Sequence, residues 1–529
     1  MSLFILSMIL TVLSENSFSF IIFWEIMSLS SFFLIMSEYD KAETRKAGIF
    51  YFVMTQLSTV LLFAAFIIMY VNSGNLSLAS ISSLDQGLRY LVFIILFFGF
   101  GIKAGIVPFH KWLPYAHSAS PSNISALMSG VMIKIAIYGM VRFVLLLPQT
   151  PLSIGILILT AGISSALLGV IYALKEHDLK RLLAYHSIEN IGIILIGLGL
   201  YVIFSFYGVT EAATLSLLAS LFHTLNHAIF KSLLFFSAGS VVNSTGTRNI
   251  EKMGGLIKPM PYTASLFLIG AASISALPPL NGFVSELMIF LAFFKLNMIS
   301  DQFVQIFLII SLALFALTSS LAAACFVKAF GITFLANPRT KNASEAKEAP
   351  ILMLIGPSLL ALLCVILGVF SYRIFAYAGV ILPIPDMLFW GCAMLVSALI
   401  SWIFVRISAN QNEKTGETWG CGLLSQDSSM EYTASGFSQP IVRIFKPIYR
   451  TRETSEIKYH DEQKTTVSGG KADIVLVKFF EEYLYMPVAN LVMRASGLFS
   501  RAQNVIEPDS YILYVFITAI VLLLISRWF

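Results

Sequence analysis

Charged residues are scarce in this sequence. Asp, Glu, Lys and Arg make up 12% of its 529 residues, whereas a soluble globular protein carries roughly 25%. Hydrophobic residues account for 57%, and the mean hydropathy is +0.83. Because so little charge cannot cover the surface of a chain of this length, we expect lipid to cover much of it. The net charge of +5 is modest, and no basic cluster suggests a nucleic-acid partner.

Cysteine is also rare, and no cysteine belongs to the C-x-x-C pair that is typical of iron–sulfur and zinc sites. The sequence has no haem signature, P-loop or dinucleotide-binding fingerprint, and its N-terminus lacks the features of a signal peptide. We therefore expect no cofactor, no metal and no catalytic centre in this chain, so the electrons of any redox reaction would run elsewhere. The cysteines are Cys325, Cys364, Cys392 and Cys421.

Long apolar stretches recur along the chain, and a stretch of about 20 such residues is enough to span a bilayer as a helix. Runs of this length, without a short alternating pattern, indicate helices rather than barrel strands. The sequence therefore predicts an all-α polytopic membrane protein with about 13 transmembrane helices. Apolar helices are predicted at residues 3–14, 17–36, 48–71, 90–108, 123–147, 152–174, 182–206, 213–243, 261–277, 283–299, 303–335, 350–372, 385–406 and 510–528.

Four regions follow from this pattern. Residues 1–406 form the transmembrane domain, and residues 407–475, rich in Ser, Thr, Glu and Lys, are expected to be an exposed loop or linker. Residues 476–509 alternate apolar and charged positions at helical spacing. This pattern fits a helix lying along the membrane surface or along a partner, although an ordinary soluble amphipathic helix fits it equally well. Residues 510–529 are predicted to be a C-terminal transmembrane anchor.

The charges of the loops orient the first half of the chain. The loops at 37–47, 175–181 and 244–260 are rich in Lys and Arg, whereas the alternate loops at 72–89 and 148–151 contain only Arg89. Because positive charge marks the cytoplasmic side of a membrane protein, the first three loops are predicted to face the cytoplasm.

Several ionisable residues lie within the predicted spans. Such a residue near the bilayer centre costs on the order of 3 kcal/mol and usually marks an ion or proton pathway. Any single one could instead be half of a structural ion pair. Lys328 is a further possible pathway-lining residue, but it lies near a helix end, which favours a side chain that snorkels to the interface. The deep residues are Glu25, Lys103, Lys134, His223, His227, Lys231 and Glu286.

The spacing of His223, His227 and Lys231 is informative, because steps of four place all three on one helix face. Histidine titrates near neutral pH, and a buried lysine readily does so, so such a stripe suits proton transfer. The His-x-x-x-His spacing also occurs at zinc sites, but the metalloprotease form requires Glu where this chain has Thr224.

Two predicted helices carry break signals beside these charges. Pro108 follows Lys103, and Pro278, Pro279 and Gly282 precede Glu286. Broken helices in transporters often mark the ion site, because irregular backbone within a membrane lines protein or water. The alternative for Pro278 and Pro279 is that they merely end helices at the interface.

Long segments of the sequence resemble the antiporter-like subunits of respiratory complex I and their relatives. They cover about residues 18–290 in the expected order. Two later segments, at 325–339 and 417–441, look like the component B type of group 4 membrane-bound [NiFe] hydrogenases, the hydrogenase-4 and formate hydrogenlyase group. The quoted segments are WEIMSLSSFFLI, GIKAGIVPFHKWLPYAHSASPSNISALMSGVMIKIAIYG, HDLKRLLAYHSIENIGIILIGLG, HTLNHAIFKSLLFFSAGSV, ALPPLNGFVSELMI, CFVKAFGITFLANPR and ETWGCGLLSQDSSMEYTASGFSQPI.

This resemblance implies the antiporter-like fold with discontinuous helices and a role for each charge. Glu25 would couple electrostatically to Lys103, and Lys134 would be the central relay. The remaining residues have roles further along the same path. His223, His227 and Lys231 would continue the hydrated path, Glu286 would be the outlet, and Lys180 and His186 would line it.

The resemblance also implies a setting. The segment from 476 to 528 looks like the lateral helix and anchor of the longest family members, which brace neighbouring subunits. Family members have several helices before the helix that carries Glu25, whereas only 24 residues precede it here, so we expect fewer N-terminal helices. The expected location is a bacterial or archaeal cell membrane.

Three functions fit these features. The first is an ion-translocating subunit, moving protons or Na⁺, of a membrane-bound [NiFe] hydrogenase whose other membrane subunits and peripheral iron–sulfur arm are its partners. The second is a Na⁺/H⁺ antiporter subunit or an NADH–quinone oxidoreductase subunit of the same type. The third is an anchor for the arm that conducts no ions. Any enzymatic activity would belong to the whole complex.

Overall fold

A computed structural model describes residues 1–408, 430–460, 467–477 and 479–504, together with the positions 419, 422, 427, 428, 517, 518, 520 and 521. The chain divides into two compact units, Met1–Ile441 and Val442–Phe529.

The first unit is built from long apolar helices. Ten helical segments in the described residues are long and apolar enough to cross a membrane. The prediction of an all-α polytopic membrane domain is therefore confirmed. The helices are α1 (Ser2–Leu13), α2 (Ser17–Ile35), α3 (Ala42–Ser73), α4 (Gln86–Ala104), α5 (Trp112–Ala119), α6 (Ser122–Leu127), α7 (Ile133–Leu146), α8 (Leu152–Lys175), α9 (Leu179–Phe206), α10 (Thr210–Thr245), α11 (Pro261–Ile274), α12 (Asn281–Phe293), α13 (Gln302–Phe334), α14 (Lys341–Ser344), α15 (Ile351–Val369), α16 (Ser371–Tyr377) and α17 (Met387–Ser408). Short 3₁₀ helices lie at Met36–Glu38, Leu78–Ser83, Ile250–Lys252 and Leu296–Met298.

The first helix break separates α4 from α5. Gly105 ends α4 in the left-handed conformation (φ +79°), and the N–H groups of Gly105 and Ile106 both donate to the Gly101 carbonyl. This pattern is a glycine C-cap. The Trp112 indole then donates across the break to the Ile102 carbonyl at 2.8 Å. Pro108 lies inside the break, so the helix predicted at 90–108 ends earlier, at Ala104.

The second break lies between α11 and α12. Pro278 and Pro279 lie in it, and Ala276 has the unusual φ of +50°. Gly282 is not in the break but is the second residue of α12. A Cβ atom there would lie 1.8 Å from the Ser273 carbonyl oxygen of α11, so only glycine lets the two half-helices approach this closely.

A third irregularity was not predicted. The helix expected at 123–147 consists of α6 and α7 joined by a π-helical turn at Met128–Met132. A π turn inserts one extra residue and leaves a backbone carbonyl without its usual helical partner.

Helices α8 and α9 pack with their backbones in contact. Glycines recur every seven residues along each helix, at 155, 162 and 169 on α8 and at 192 and 199 on α9. A Cβ atom on Gly162 would lie 2.9 Å from the Gly192 carbonyl oxygen, and one on Gly192 would lie 2.5 Å from the Gly162 carbonyl oxygen. This small-residue seam is a common way for membrane helices to associate.

The polar segment expected to be a loop or linker contains regular structure where it is described. The elements there and beyond are α18 (Ala434–Ile444), α19 (Lys446–Tyr449), strands β1 (Thr451–Tyr459) and β2 (Val467–Leu476), a π-helical turn (Glu481–Tyr485) and α20 (Met486–Asn504). The strands pair antiparallel with Thr451 opposite Leu476. Local hydrogen bonding explains the difference, because a hairpin and capped helices satisfy backbone groups in sequences too polar to span lipid.

The structure contains a helix, α20, within the predicted amphipathic helix at 476–509. Its position along a membrane or a partner stays a prediction. Most of the anchor predicted at 510–529 lies outside the described residues.

One carboxylate fixes the start of α18 to loops that were predicted to be cytoplasmic. The Glu251 carboxylate accepts hydrogen bonds from the N–H groups of Ser435 (2.7 Å) and Ala434 (3.2 Å), and the His177 ring lies 3.3 Å from it. Partial burial acts to raise the pKa of Glu251, but the hydrogen bonds from His177 and Ser435 outweigh burial and hold this pKa at about 2. Nearby, Glu431 accepts from the backbone N–H of Asn337 at 3.0 Å.

We expect Gly192→Ala to destabilise the protein by about 1–3 kcal/mol, because the new methyl group meets backbone atoms that cannot move aside cheaply. The loss should lower the midpoint of thermal aggregation of the detergent-solubilised chain. Gly356→Ala in α15 is the matched control, since a Cβ atom there meets nothing within 4 Å. Equal midpoints for the two variants would contradict the close-packed seam.

We expect Glu251→Gln to loosen residues 434–441 at neutral pH by ~1 kcal/mol, the usual value of a helix N-cap. Because the folded-state pKa of Glu251 is depressed, its contribution is present above its ordinary pKa and is lost as pH falls from about 4.5 towards 2. Amide hydrogen exchange of the 430–441 peptide measures both effects. Glu345→Gln, which alters an exposed pair with Lys341, should leave that exchange unchanged.

Candidate functional site

The seven predicted pathway residues lie on five helices, α2, α4, α7, α10 and α12. Six of them are buried, and Glu25 on α2 is half-buried. Two further helices carry the other candidates, Lys180 and His186 on α9 and Lys328 on α13, all of which are buried. The structure therefore brings ionisable groups that are far apart in sequence into one membrane domain.

Glu25 and Lys103 are neighbours, but they are not in contact. The Lys103 ammonium donates to the Ser28 hydroxyl (2.8 Å) and to the Tyr51 hydroxyl (3.1 Å), and it lies 5.2 Å from the centre of the Tyr51 ring. The Glu25 carboxylate accepts from Gln56 and from Thr59 (2.9 Å) on α3. Ser28 follows Glu25 by one turn of α2. The hydrogen bond to Ser28 therefore holds Lys103 near the Glu25 carboxylate without a direct contact between the two charges.

The π-helical turn provides the partner of Lys134. The Lys134 ammonium donates to the Ser129 carbonyl, which belongs to the turn. The Ser129 hydroxyl shares a 2.7 Å hydrogen bond with Ser187 on α9. Tyr51, which binds Lys103, also contacts Met132 of the same turn at 3.6 Å between hydroxyl and sulfur. The turn thus lies between the Lys103 and Lys134 sites.

His223 joins α9, α10 and α12. Its Nε2 lies 3.2 Å from the Asn190 side-chain oxygen, and its Nδ1 lies 2.9 Å from the Ser285 hydroxyl. Because an amide oxygen can only accept, the Nε2 atom carries the proton and Nδ1 accepts from Ser285. Asn226 donates to the Ser285 hydroxyl as well (3.1 Å), which completes a neutral polar cluster at the break before α12.

The other two members of the α10 stripe have different partners. Lys231 donates to the Leu183 carbonyl of α9 at 2.5 Å. The His227 ring nitrogens have no hydrogen-bond partner among the described residues. The centre of the His227 ring lies 5.5 Å from the centre of the Phe230 ring. Glu286 on α12 accepts a 2.6 Å hydrogen bond from Ser319 on α13.

The three residues with weaker support have distinct positions. The Lys180 ammonium donates to the Ser120 carbonyl, just after the end of α5. Lys328 donates to the carbonyls of Leu174 (2.6 Å) and Glu176 (2.9 Å) at the C-terminal end of α8. Lys328 therefore caps the C-terminal end of α8, where a cation is favoured. That this helix end lies at the membrane interface stays a prediction. His186 pairs with Glu189 in the middle of α9.

Sequence reasoning missed three buried polar residues. Glu189 lies three residues after His186 in an apolar run. An acidic residue within such a run was the signal that could have identified it. His117 stacks on Phe235 (5.0 Å), and neither ring nitrogen has a partner in the described part of the chain. Lys111 donates to the Tyr185 hydroxyl at 3.1 Å. Both Lys111 and His117 lie in the segment PFHKWLPYAHSA, whose cationic side chains flank the break between α4 and α5 and were the available signal.

The buried lysines of the site share one property. Within the described residues, Lys103, Lys134 and Lys231 have no carboxylate within 4.0 Å, and their partners are hydroxyl or carbonyl oxygens. The arrangement can therefore hold protons at several separated points. No group of three or more His, Cys, Asp or Glu side chains suited to a metal ion occurs in the described part of the chain.

Comparisons with known proteins match this architecture. The family described as NADH:quinone oxidoreductase/Mrp antiporter, TM, matches residues 14–324. Hydrogenase-4 component B of Escherichia coli (strain K12) is 38% identical, over 99% of this chain and 82% of that protein. Formate hydrogenlyase subunit 3 of the same organism is 37% identical, over 84% of this chain and 74% of that protein.

A solved structure has the same fold. A chain of the membrane-bound sulfane sulfur reductase, an archaeal respiratory membrane complex, superimposes with a TM-score of 0.78. The match covers 98% of this chain and 82% of that chain at 23% identity, so it bears on the fold alone. With the family match, it confirms the antiporter-like fold that the sequence motifs predicted. This polytopic membrane protein therefore belongs to the NADH:quinone oxidoreductase/Mrp antiporter family of transmembrane subunits.

Proposed function

We propose that this chain is the proton-translocating membrane subunit of a membrane-bound [NiFe] hydrogenase complex. In this proposal a peripheral arm passes electrons from a donor to protons, and the membrane domain uses the energy released to move protons across the bilayer. The observation that carries the proposal is the set of buried lysines, Lys103, Lys134 and Lys231, held by neutral oxygens.

Neutral partners matter because an ion pair would fix the charge of each lysine. A carboxylate next to a buried ammonium strongly favours the charged form, and removing one partner leaves an uncompensated charge. A lysine held by a hydroxyl or a carbonyl loses much less when its proton leaves. The hypothesis that each lysine is half of a structural ion pair therefore has no support among the described contacts.

The arrangement of Glu25 and Lys103 supports electrostatic control of the pathway. Two unit charges about 4 Å apart interact by ~4 kcal/mol at an effective dielectric constant near 20. Lys103 rests on Ser28 instead, one helical turn from Glu25. A swing of the Lys103 side chain between these two positions would change the field at Lys134 and could drive its proton onward.

The hydrogenase assignment draws on the length of the similarity to hydrogenase-4 component B, which includes the late segment at 417–441. An antiporter or NADH–quinone oxidoreductase subunit is the alternative within the same family. Measuring proton uptake in sodium-free buffer distinguishes proton translocation from Na⁺/H⁺ exchange, because an exchanger requires Na⁺ on the opposite side of the membrane.

We expect Lys134→Ala to abolish proton uptake driven by the electron donor in membrane vesicles that hold the whole complex. The variant removes the central proton-binding group while the arm remains intact. Hydrogen production by the arm, with a reduced soluble dye as the electron donor, should therefore persist. Lys295→Ala, which alters a surface pair with Glu211, is the control. Unchanged uptake and turnover in Lys134→Ala would instead identify the subunit as an anchor.

We expect Glu25→Gln to reduce the protons moved per hydrogen formed by several-fold, because the amide keeps the contacts to Gln56 and Thr59 but removes the charge that acts on Lys103. The ratio is measured from simultaneous traces of vesicle pH and hydrogen. Glu43→Gln, an exposed acid at the start of α3, should leave the ratio as it is. Full pumping by Glu25→Gln would rule out the coupling.

A further inference from the structure

A fully buried carboxyl and imidazole pair lies on α9, and its carboxyl member, Glu189, has no role in the pathway proposed above. The Glu189 Oε2 and His186 Nδ1 atoms are hydrogen-bonded, and both side chains are at most 1% exposed. Within the described part of the chain, no other ion pair has both side chains fully buried.

The pair has no evident structural purpose. The two residues are three apart on one helix, so their contact joins no two helices. Taking a carboxylate and an imidazolium out of water costs about as much as their attraction returns, so a buried pair is weak evidence for stability. The remaining His186 nitrogen, Nε2, has no hydrogen-bond partner among the described residues, and the ring packs 4.5 Å from Phe326.

The pair lies between two parts of the site. Asn190 donates to the His186 carbonyl at 2.8 Å, and its side-chain oxygen holds His223. His223 in turn contacts Ser285, the residue before Glu286. A short series of hydrogen-bonded groups therefore runs from the backbone of His186 to the residue beside Glu286.

Groups on three neighbouring helices, α10, α12 and α13, interact electrostatically with the pair. Lys231 on α10 acts on both members, and Glu286 on α12 acts on Glu189. On α13, Lys328 acts on His186 and Cys325 interacts with Glu189. None of these four residues forms an ion pair with Glu189. Among the described residues, the Glu189 carboxylate is hydrogen-bonded to His186 alone.

We infer that Glu189 and His186 form a proton-holding station between Lys231 and Glu286. The Lys231 ammonium gives up one proton and becomes neutral, and the pair gains that proton. The pair then releases one proton, the Glu286 carboxylate accepts it, and the pair returns to its starting charge. The inference rests on the proposed function and adds to it a residue, Glu189, and an order of transfer.

The test is Glu189→Gln in the vesicles that hold the whole complex. Glutamine keeps the size and the hydrogen bond to His186 but carries no titratable proton. We expect donor-driven proton uptake to fall by about a hundredfold or more, the scale on which a positioned proton donor or acceptor acts. Glu211→Gln, an exposed acid at the start of α10, should keep full uptake.

Two further measurements make the result decisive. Glu189→Asp keeps a carboxyl group, so it should retain part of the uptake with a shifted pH profile, and this variant decides the matter if Glu189→Gln does not assemble. In infrared difference spectra of turnover, a carboxyl band of the parent should be absent from Glu189→Gln. Full uptake in Glu189→Gln, or an unchanged pH profile in Glu189→Asp, would overturn the station.

Lys134→Ala in the same vesicles separates this inference from the proposed function. If Lys134→Ala stops uptake and Glu189→Gln does not, the pair is structural and only the station fails. If neither variant changes uptake, the proton-translocating function fails with it.

Discussion

The hydrogen bond from a lysine ammonium to a backbone carbonyl is the interaction on which this membrane domain depends. In hydrocarbon each polar group must find its partner inside the protein. Lys134, Lys180 and Lys231 donate to the carbonyls of Ser129, Ser120 and Leu183. Lys328 donates to the last carbonyls of α8. The helices therefore supply the acceptors that in most proteins come from carboxylates.

Irregular backbone is what makes these carbonyls available. A regular helix uses each carbonyl for its own ladder, so a free one arises at a helix end or at an inserted residue. Ser129 lies in the π-helical turn, Ser120 follows the end of α5, and the carbonyls that hold Lys328 end α8. The breaks in the helices and the positions of the buried charges are thus two aspects of one arrangement. Lys103 and Lys231 are the exceptions. Lys103 uses the hydroxyls of Ser28 and Tyr51, and Lys231 donates to the carbonyl of Leu183, which lies within the regular part of α9.

Much of the fold was predictable, because a bilayer imposes a strong length and polarity rule on each span. The same rule made Lys103, Lys134 and Glu286 stand out as charges in apolar runs. The π-helical turn was not predictable, since residues Met128–Met132 themselves contain neither a proline nor a charge. The partners of Lys134 and Lys231 were equally hidden, because a backbone carbonyl has no sequence signature. Glu189 could have been found from its spacing to His186, whereas the β-strands in the polar segment depend on backbone pairing that composition does not reveal.

The glycine seam between α8 and α9 has a mechanical consequence. Where two helices touch backbone to backbone, no layer of side chains remains between them to be compressed or to change rotamer. We therefore expect α8 and α9 to move together as one rigid body. Leu183, His186 and Glu189 all lie on α9, so we expect the distances between their backbone atoms to change little during turnover. Any displacement that accompanies ion movement would then fall on the interrupted helices, such as α6–α7 and α11–α12, while α8 and α9 keep their positions relative to each other.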